Sequence, residues 1–254
     1  MGDKTGISWT DATWNPVTGC DRTSPGCDHC YALTMAARLK RMGNPRYQND
    51  GPARTSGPGF GVTVHQDALD LPIRWKRPRR IFVNSMSDLF HPAVPEDFIW
   101  ETFEVMRQAP QHQFQVLTKR PQRMAKVVAA YCGYEPPLPN VWLGTSIESM
   151  RYEFRARWLL DTPAAVRFVS AEPLLGPLDL REYLMDDHRL DWVIVGGESG
   201  AEHRPMDLDW ARAIQRDCAA AGVAFYFKQI ASRRSGQPGP VDLNVHQLPD
   251  MRAA

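Results

Sequence analysis

The chain has 254 residues, 43% of them apolar with eight tryptophans, and 30 Lys and Arg stand against 29 Asp and Glu for a formal net charge of +1. Such a chain buries roughly three quarters of its surface in one core, its composition excludes a disordered protein, and its charge lacks the basic excess usual in nucleic-acid-binding domains, leaving a local patch as the route to polyanions. No apolar run reaches the ~20 residues of a membrane span, and the polar opening Met1 to Thr10 has no apolar signal core, so the expected setting is cytoplasmic with no membrane partner.

In chain order, runs rich in β-branched and aromatic residues recur at Trp14 to Cys20, Arg80 to Asn84, Gln113 to Leu117, Val141 to Thr145, Val166 to Ser170, Trp192 to Val195 and Val223 to Phe227. From Asn84 onward their ends step by 33, 28, 25, 25 and 32 residues, each the size of a strand plus a crossover helix. After the first run, Cys30 to Lys40 reads as a helix with Ala32, Met35, Ala36 and Leu39 inward. Gly43 to Gly61 follows with eight Gly or Pro in nineteen positions, an irregular insertion, and Val62 to His65 reads as a short strand. Ile99, Phe103 and Met106 share a helical face, as do Phe154 and Trp158, and as do Ala211, Ile214 and Cys218, with Asp207 the expected N-cap of that last helix. Crossovers between parallel strands are right-handed, so six or seven in series wind into a barrel or a doubly wound sheet. The expected fold is α/β, a partial or near-complete parallel (β/α) barrel of six to seven strands, forming one domain over residues 1–231 with a poorly ordered tail over 232–254.

Polar residues gather where these strands end: Asn84 to Asp88, Thr118 to Arg120, Thr145 to Glu148, Ser170 to Pro173, Gly196 to Gly200, and Lys228 with Gln229. In a parallel fold such ends share one face, where sites are built; loops are also polar for no functional reason, which accounts for any single end but less well for the set. Lys119, Arg120 and Arg123 with Lys228 form a candidate anionic-substrate patch, and Phe90 and Tyr47, read as exposed, are candidates to stack on a base. The basic run Arg74 to Arg80 precedes its strand and falls on the opposite face, a solvated rim or a polyanion contact.

Five cysteines are an odd number, and only Cys20, Cys27 and Cys30 cluster. That pattern is not a disulfide framework; in a cytosolic chain it points to metal or redox chemistry. Three thiolates from one loop can hold three corners of a cubic iron-sulfur cluster and leave one iron open to a chelating ligand. They could equally hold zinc with a fourth ligand from His29, His65 or His91. Cys132 and Cys218 read as core residues.

Asn15-Pro16-Val17-Thr18-Gly19-Cys20 followed by Gly26-Cys27-Asp28-His29-Cys30-Tyr31-Ala32 resembles the cluster loop of radical S-adenosylmethionine (SAM) enzymes, particularly the spore photoproduct lyase-like branch. The departure is the first cysteine spacing, six residues here against three in that branch. Ile81 to Pro92 resembles its second strand and Ser/Thr-Asp turn, and Val116 to Lys119 its third. The six-residue spacing together with Ser170-Ala171-Glu172-Pro173-Leu174-Leu175-Gly176-Pro177 is similar to a phage-associated three-cysteine family.

The resemblance implies a radical SAM-like barrel in which Cys20, Cys27 and Cys30 ligate a [4Fe-4S] cluster and SAM chelates the open iron. It implies that Ser85, Ser87 and Asp88 meet the methionine amino group, that Ser146 and Glu148 lie at the ribose or carboxylate, and that Gly196 and Gly197 let backbone approach the adenine. The implied reaction is reductive cleavage of SAM by an electron from a flavodoxin- or ferredoxin-like donor, then hydrogen abstraction from a substrate, here a nucleic-acid base in repair or modification, with the 43–61 insertion as a lid. Two other classes compete: a zinc-stabilised nucleic-acid-binding module, and a non-radical barrel enzyme using Glu148, Glu172 and Glu198 as acid and base groups.

Overall fold

The computed structural model describes residues 5–185 and 188–249. After Arg120 the chain divides into two compact units. The first runs through β1 (Ala12–Trp14), β2 (Val17–Thr18), α1 (Tyr31–Arg41), β3 (Thr63–Val64), α2 (Leu71–Arg74), β4 (Arg80–Val83), α3 (Glu96–Gln108) and β5 (Gln113–Thr118). β1, β4 and β5 pair in parallel, with Trp14 level with Val83 and Val83 with Val116. β2 and β3 form a separate antiparallel pair.

Ile81, Phe82 and Val83 are all buried, which is why β4 reads as an unbroken apolar run rather than an alternating one. The expected first strand, Trp14 to Cys20, is corrected: Pro16 has no N–H to donate and interrupts the ladder, so β1 stops at Trp14 and the chain turns to pair β2 with β3. In α1, Ala32 and Ala36 face inward as expected, and their small size brings the helix close to Tyr47, Phe60 and Met86. Met35 lies outside that narrow contact and is exposed. The α3 expectation holds, with Ile99, Phe103 and Met106 buried.

The second unit comprises α4 (Pro121–Cys132), β6 (Val141–Ser146), α5 (Arg155–Leu160), β7 (Val166–Ala171), β8 (Trp192–Gly196), α6 (Leu208–Ala221) and β9 (Ala224–Gln229). β6 to β9 pair in parallel in that order. In both units strand order is chain order, the winding of an α/β partial barrel. Among the described residues no helix is long and apolar enough to cross a membrane.

α6 matches its expectation: Ala211, Ile214 and Cys218 are buried, the Asp207 carboxylate accepts from the Asp209 N–H at 2.9 Å, and the helix ends at Gly222 in the left-handed region. Cys132 and Cys218 are core residues, and burial pushes the Cys218 thiol up to about 12. The α5 expectation is corrected. This helix has six residues and turns Arg155, Ala156 and Leu159 inward, leaving Phe154 half exposed and Trp158 about a third exposed. Of the tail expected over 232–254, residues 250–254 lie outside the described residues, and within 232–249 the stretch 245–247 runs antiparallel beside β9. The Phe227 N–H donates to the Val245 carbonyl at 2.8 Å and the Gln247 N–H to the Phe225 carbonyl at 3.0 Å, Tyr226 pairs antiparallel with His246, and Leu243 is fully buried.

Candidate cysteine-cluster site

In the first unit the segment carrying Cys20 is fastened to the turn that follows β4. The Asn15 carboxamide oxygen accepts from the Met86 N–H and the Ser85 hydroxyl, each at 3.2 Å. The Gly19 N–H donates to the Met86 carbonyl at 3.1 Å, and the Ser87 hydroxyl donates to the Val17 carbonyl at 2.7 Å. From the other side of the cysteines, the Tyr31 hydroxyl donates to the Ser85 carbonyl. Ser85 and Ser87 therefore spend their hydroxyl protons joining the two loops. Gly19 has φ 86°, and the loop closes over it so tightly that a Cβ would lie 2.3 Å from the Gly61 carbonyl oxygen.

Asp88 is the hub of this end of the unit. One carboxylate oxygen accepts from the Phe90 N–H at 3.0 Å and the Thr118 hydroxyl at 2.7 Å; the other accepts from the Lys119 N–H at 3.2 Å and Arg120 Nη1 at 2.8 Å. The same Nη1 lies 3.5 Å from Cys20 Sγ, and Arg120 Nη2 donates to the Asp21 carbonyl at 3.2 Å. Arg120, expected to meet substrate, thus grips the cysteine loop instead, with its side chain only 13% exposed. Sequence reasoning missed Asp21, which accepts from the Thr55 hydroxyl at 2.7 Å and pairs with His91 at 3.0 Å. Burial works to raise the Asp21 carboxyl, but the Thr55 and His91 hydrogen bonds outweigh it and hold it below the usual range.

The Cys27 charge acts on both Cys20 and Cys30. Burial first, and Asp88 second, push the Cys20 thiol up to about 12; Arg120 opposes them and Cys27 adds to them. Burial likewise raises Cys30, with Lys119 opposing and Cys27 adding. At Cys27 burial is outweighed by the Lys119 charge and by hydrogen bonds from Thr23 and Ser24, so this thiol lies below its ordinary value. Among the described residues no group of three or more His, Cys, Asp or Glu is arranged to hold a metal ion. His65 Nε2 bonds the Thr18 hydroxyl at 2.8 Å, while His91 bonds Asp21 through one nitrogen and the Ala93 N–H through the other. Two expected aromatics are corrected: Phe90 is 0% and Tyr47 8% exposed, because both fill the core under these loops, so neither offers a face to a base.

In the second unit the carboxyl ends of β6 to β9 carry three glutamates, each with a basic partner. Glu148, 1% exposed, pairs with buried Arg155 at 3.0 Å, and the same guanidinium donates to the Ser146 carbonyl at 2.8 Å. Glu172 pairs with Lys228 at 2.5 Å, and Glu198 with Arg204 at 2.6 Å. Arg155 and Arg204 were not anticipated. The Gly197 N–H donates to the Gln229 carbonyl at 2.9 Å, and a Cβ on Gly197 would fall 2.1 Å from the Ala231 nitrogen. Gly196 faces Glu172, where a Cβ would lie 3.2 Å from its Cγ. The packing of the chain itself therefore requires glycine at 197, where the obstacle is backbone, while at 196 it is a side chain.

Fold and site together define a parallel α/β protein with a three-cysteine loop at the carboxyl ends of its first strands. The chain belongs to DUF5131, described as a protein of unknown function, whose family model matches residues 4–239. Neither the curated proteins nor the solved structures hold a match to it.

Proposed function

We propose that this protein is a radical SAM enzyme with a radical SAM-like barrel, whose Cys20, Cys27 and Cys30 hold a [4Fe-4S] cluster. The observation that supports the reading most is the loop itself: three thiols carried on one short segment, with the Arg120 guanidinium 3.5 Å from Cys20 Sγ and the Lys119 charge favouring the Cys27 thiolate. Thiolates on a cubic cluster each bind a different iron, so they need no single shared ion position, and the cations offset the negative charge of ligated sulfur. A lone zinc would draw a fourth ligand from nearby; of the three candidate histidines, His65 and His91 are hydrogen-bonded elsewhere, which leaves His29 as the one to test against the cluster. The acid-base alternative is disfavoured because Glu148, Glu172 and Glu198 are each ion-paired.

With SAM, such a cluster supplies reductive cleavage of that cofactor and hydrogen abstraction from a bound substrate. The chain's own contribution is to hold the loop. Asn15, Ser85 and Ser87 tie its start to the turn after β4, Asp88 and Arg120 clamp Cys20, and the buried aromatics beneath exclude water. The proposed setting is a reducing cytoplasm, with a flavodoxin- or ferredoxin-like protein supplying the electron. A nucleic-acid base is the proposed substrate class, with Lys119 as the cationic contact on the cysteine-bearing unit.

The test is anaerobic reconstitution with iron and sulfide, then dithionite with SAM. The expected outcome is a brown protein with about four irons per chain that releases deoxyadenosine. Replacing Cys20, Cys27 and Cys30 together by Ala should abolish both iron uptake and release. A colourless protein with one tightly bound zinc would overturn the proposal, and a brown one that never cleaves SAM would remove the enzyme from it.

A further inference from the structure

We infer that Arg120, held by Asp88, is a positioning residue that sets the reduction potential of the cluster through a hydrogen bond to the Cys20 sulfur; this rests on the iron-sulfur reading above. Arg120 Nη1 is shared between Cys20 Sγ at 3.5 Å and Asp88 at 2.8 Å, and Nη2 is fixed on the Asp21 carbonyl. Its partner is itself immobilised, since the Thr118 hydroxyl and the Phe90 and Lys119 N–H groups occupy the remaining acceptor positions of Asp88. The guanidinium therefore has one orientation, with its fork closed around the backbone next to a ligand sulfur. The cation is turned toward the thiol.

Reduction adds negative charge to a cluster and its sulfurs. A donor and a positive charge beside one sulfur stabilise the reduced form more than the oxidised form and raise the potential. Removing Arg120 also leaves the Asp88 carboxylate uncompensated nearby, which lowers the potential further. Lysine keeps the charge but lacks the planar fork that reaches Cys20, Asp88 and the Asp21 carbonyl together. Both effects have the same sign, and the lysine variant should fall between wild type and a neutral side chain.

The experiment is a redox titration of reconstituted wild type, Arg120→Met, Arg120→Lys and Thr118→Val, with iron content, thermal melting and the electron paramagnetic resonance signal of the reduced cluster recorded for each. Compared per loaded cluster, Arg120→Met should show at least a tenfold smaller reduced-to-oxidised ratio at fixed potential than wild type, about 59 mV for a one-electron couple. Arg120→Lys and Thr118→Val should shift the same way by less. Should Arg120→Met fail to fold or load, the other two decide, and the absence of a shift in both overturns the inference. An unchanged midpoint in a fully loaded Arg120→Met overturns it alone. Wild type that takes up no iron overturns it together with the cluster reading.

Discussion

At Gly19 the backbone needs a left-handed φ of 86° and a clear space that the Gly61 carbonyl oxygen nearly fills. Gly19→Ala should therefore lower stability by about 1–3 kcal/mol in urea unfolding and reduce iron uptake, because the displaced residue is the immediate neighbour of Cys20. Gly133→Ala, at another glycine with positive φ (55°) but open space where the Cβ would go, serves as a control that leaves iron uptake at the wild-type level. The three cysteines and this glycine were legible in the sequence because their spacing is local. The Arg120 contact was not: its sulfur partner lies 100 residues away along the chain. Arg120 was readable as a cation at a strand end, but nothing in sequence distinguishes one facing solvent from one facing a thiol. Asp88 shows the same limit, since an acidic residue in a polar turn looks open until four donors are found on it.

Among the elements, α6 was the most readable. Its apolar positions repeat at helical spacing, Asp207 stands where a cap is wanted and Gly222 where the chain must turn left-handed. Asp207→Ala should cost about 1 kcal/mol, measured as a fall in urea midpoint with the slope unchanged, and Asp207→Asn should restore most of it. α5 resisted reading for a physical reason. With six residues it is too short for its period to emerge, and its inward face carries Arg155, a charge that a hydropathy pattern assigns to solvent. The buried Glu148 carboxylate satisfies that charge, and the pair becomes visible only when both ends are known. The first strand failed similarly: β-branched Val17 and Thr18 extend the apolar run, while Pro16 redirects the ladder.

For the molecule, the parallel α/β class followed from the regular stepping of strand ends, since each step leaves room for one crossover helix. The division after Arg120 has no mark in composition, because Pro121 opens a helix rather than a linker. The course of residues 232–249 was also hidden, because Gly, Pro and Arg give no period and the ordering comes from pairing with β9. Ending the chain after Pro240 should cost about 2–5 kcal/mol, the range for deleting a buried leucine, because Leu243 leaves the core and the Trp192 indole N–H loses the Gln247 carbonyl that accepts from it at 2.9 Å. A lower melting temperature with increased light scattering would report both the loss and the bared strand.

The pairing of residues 245–247 with β9 also restricts how this protein can meet others. Many proteins recruit an extended peptide by letting it dock as one more strand on an open sheet border. Here that border is occupied by the chain's own backbone at Phe225 and Phe227, so an incoming strand would have to peel away Val245 and Gln247 first, and assembly along this side is replaced by competition.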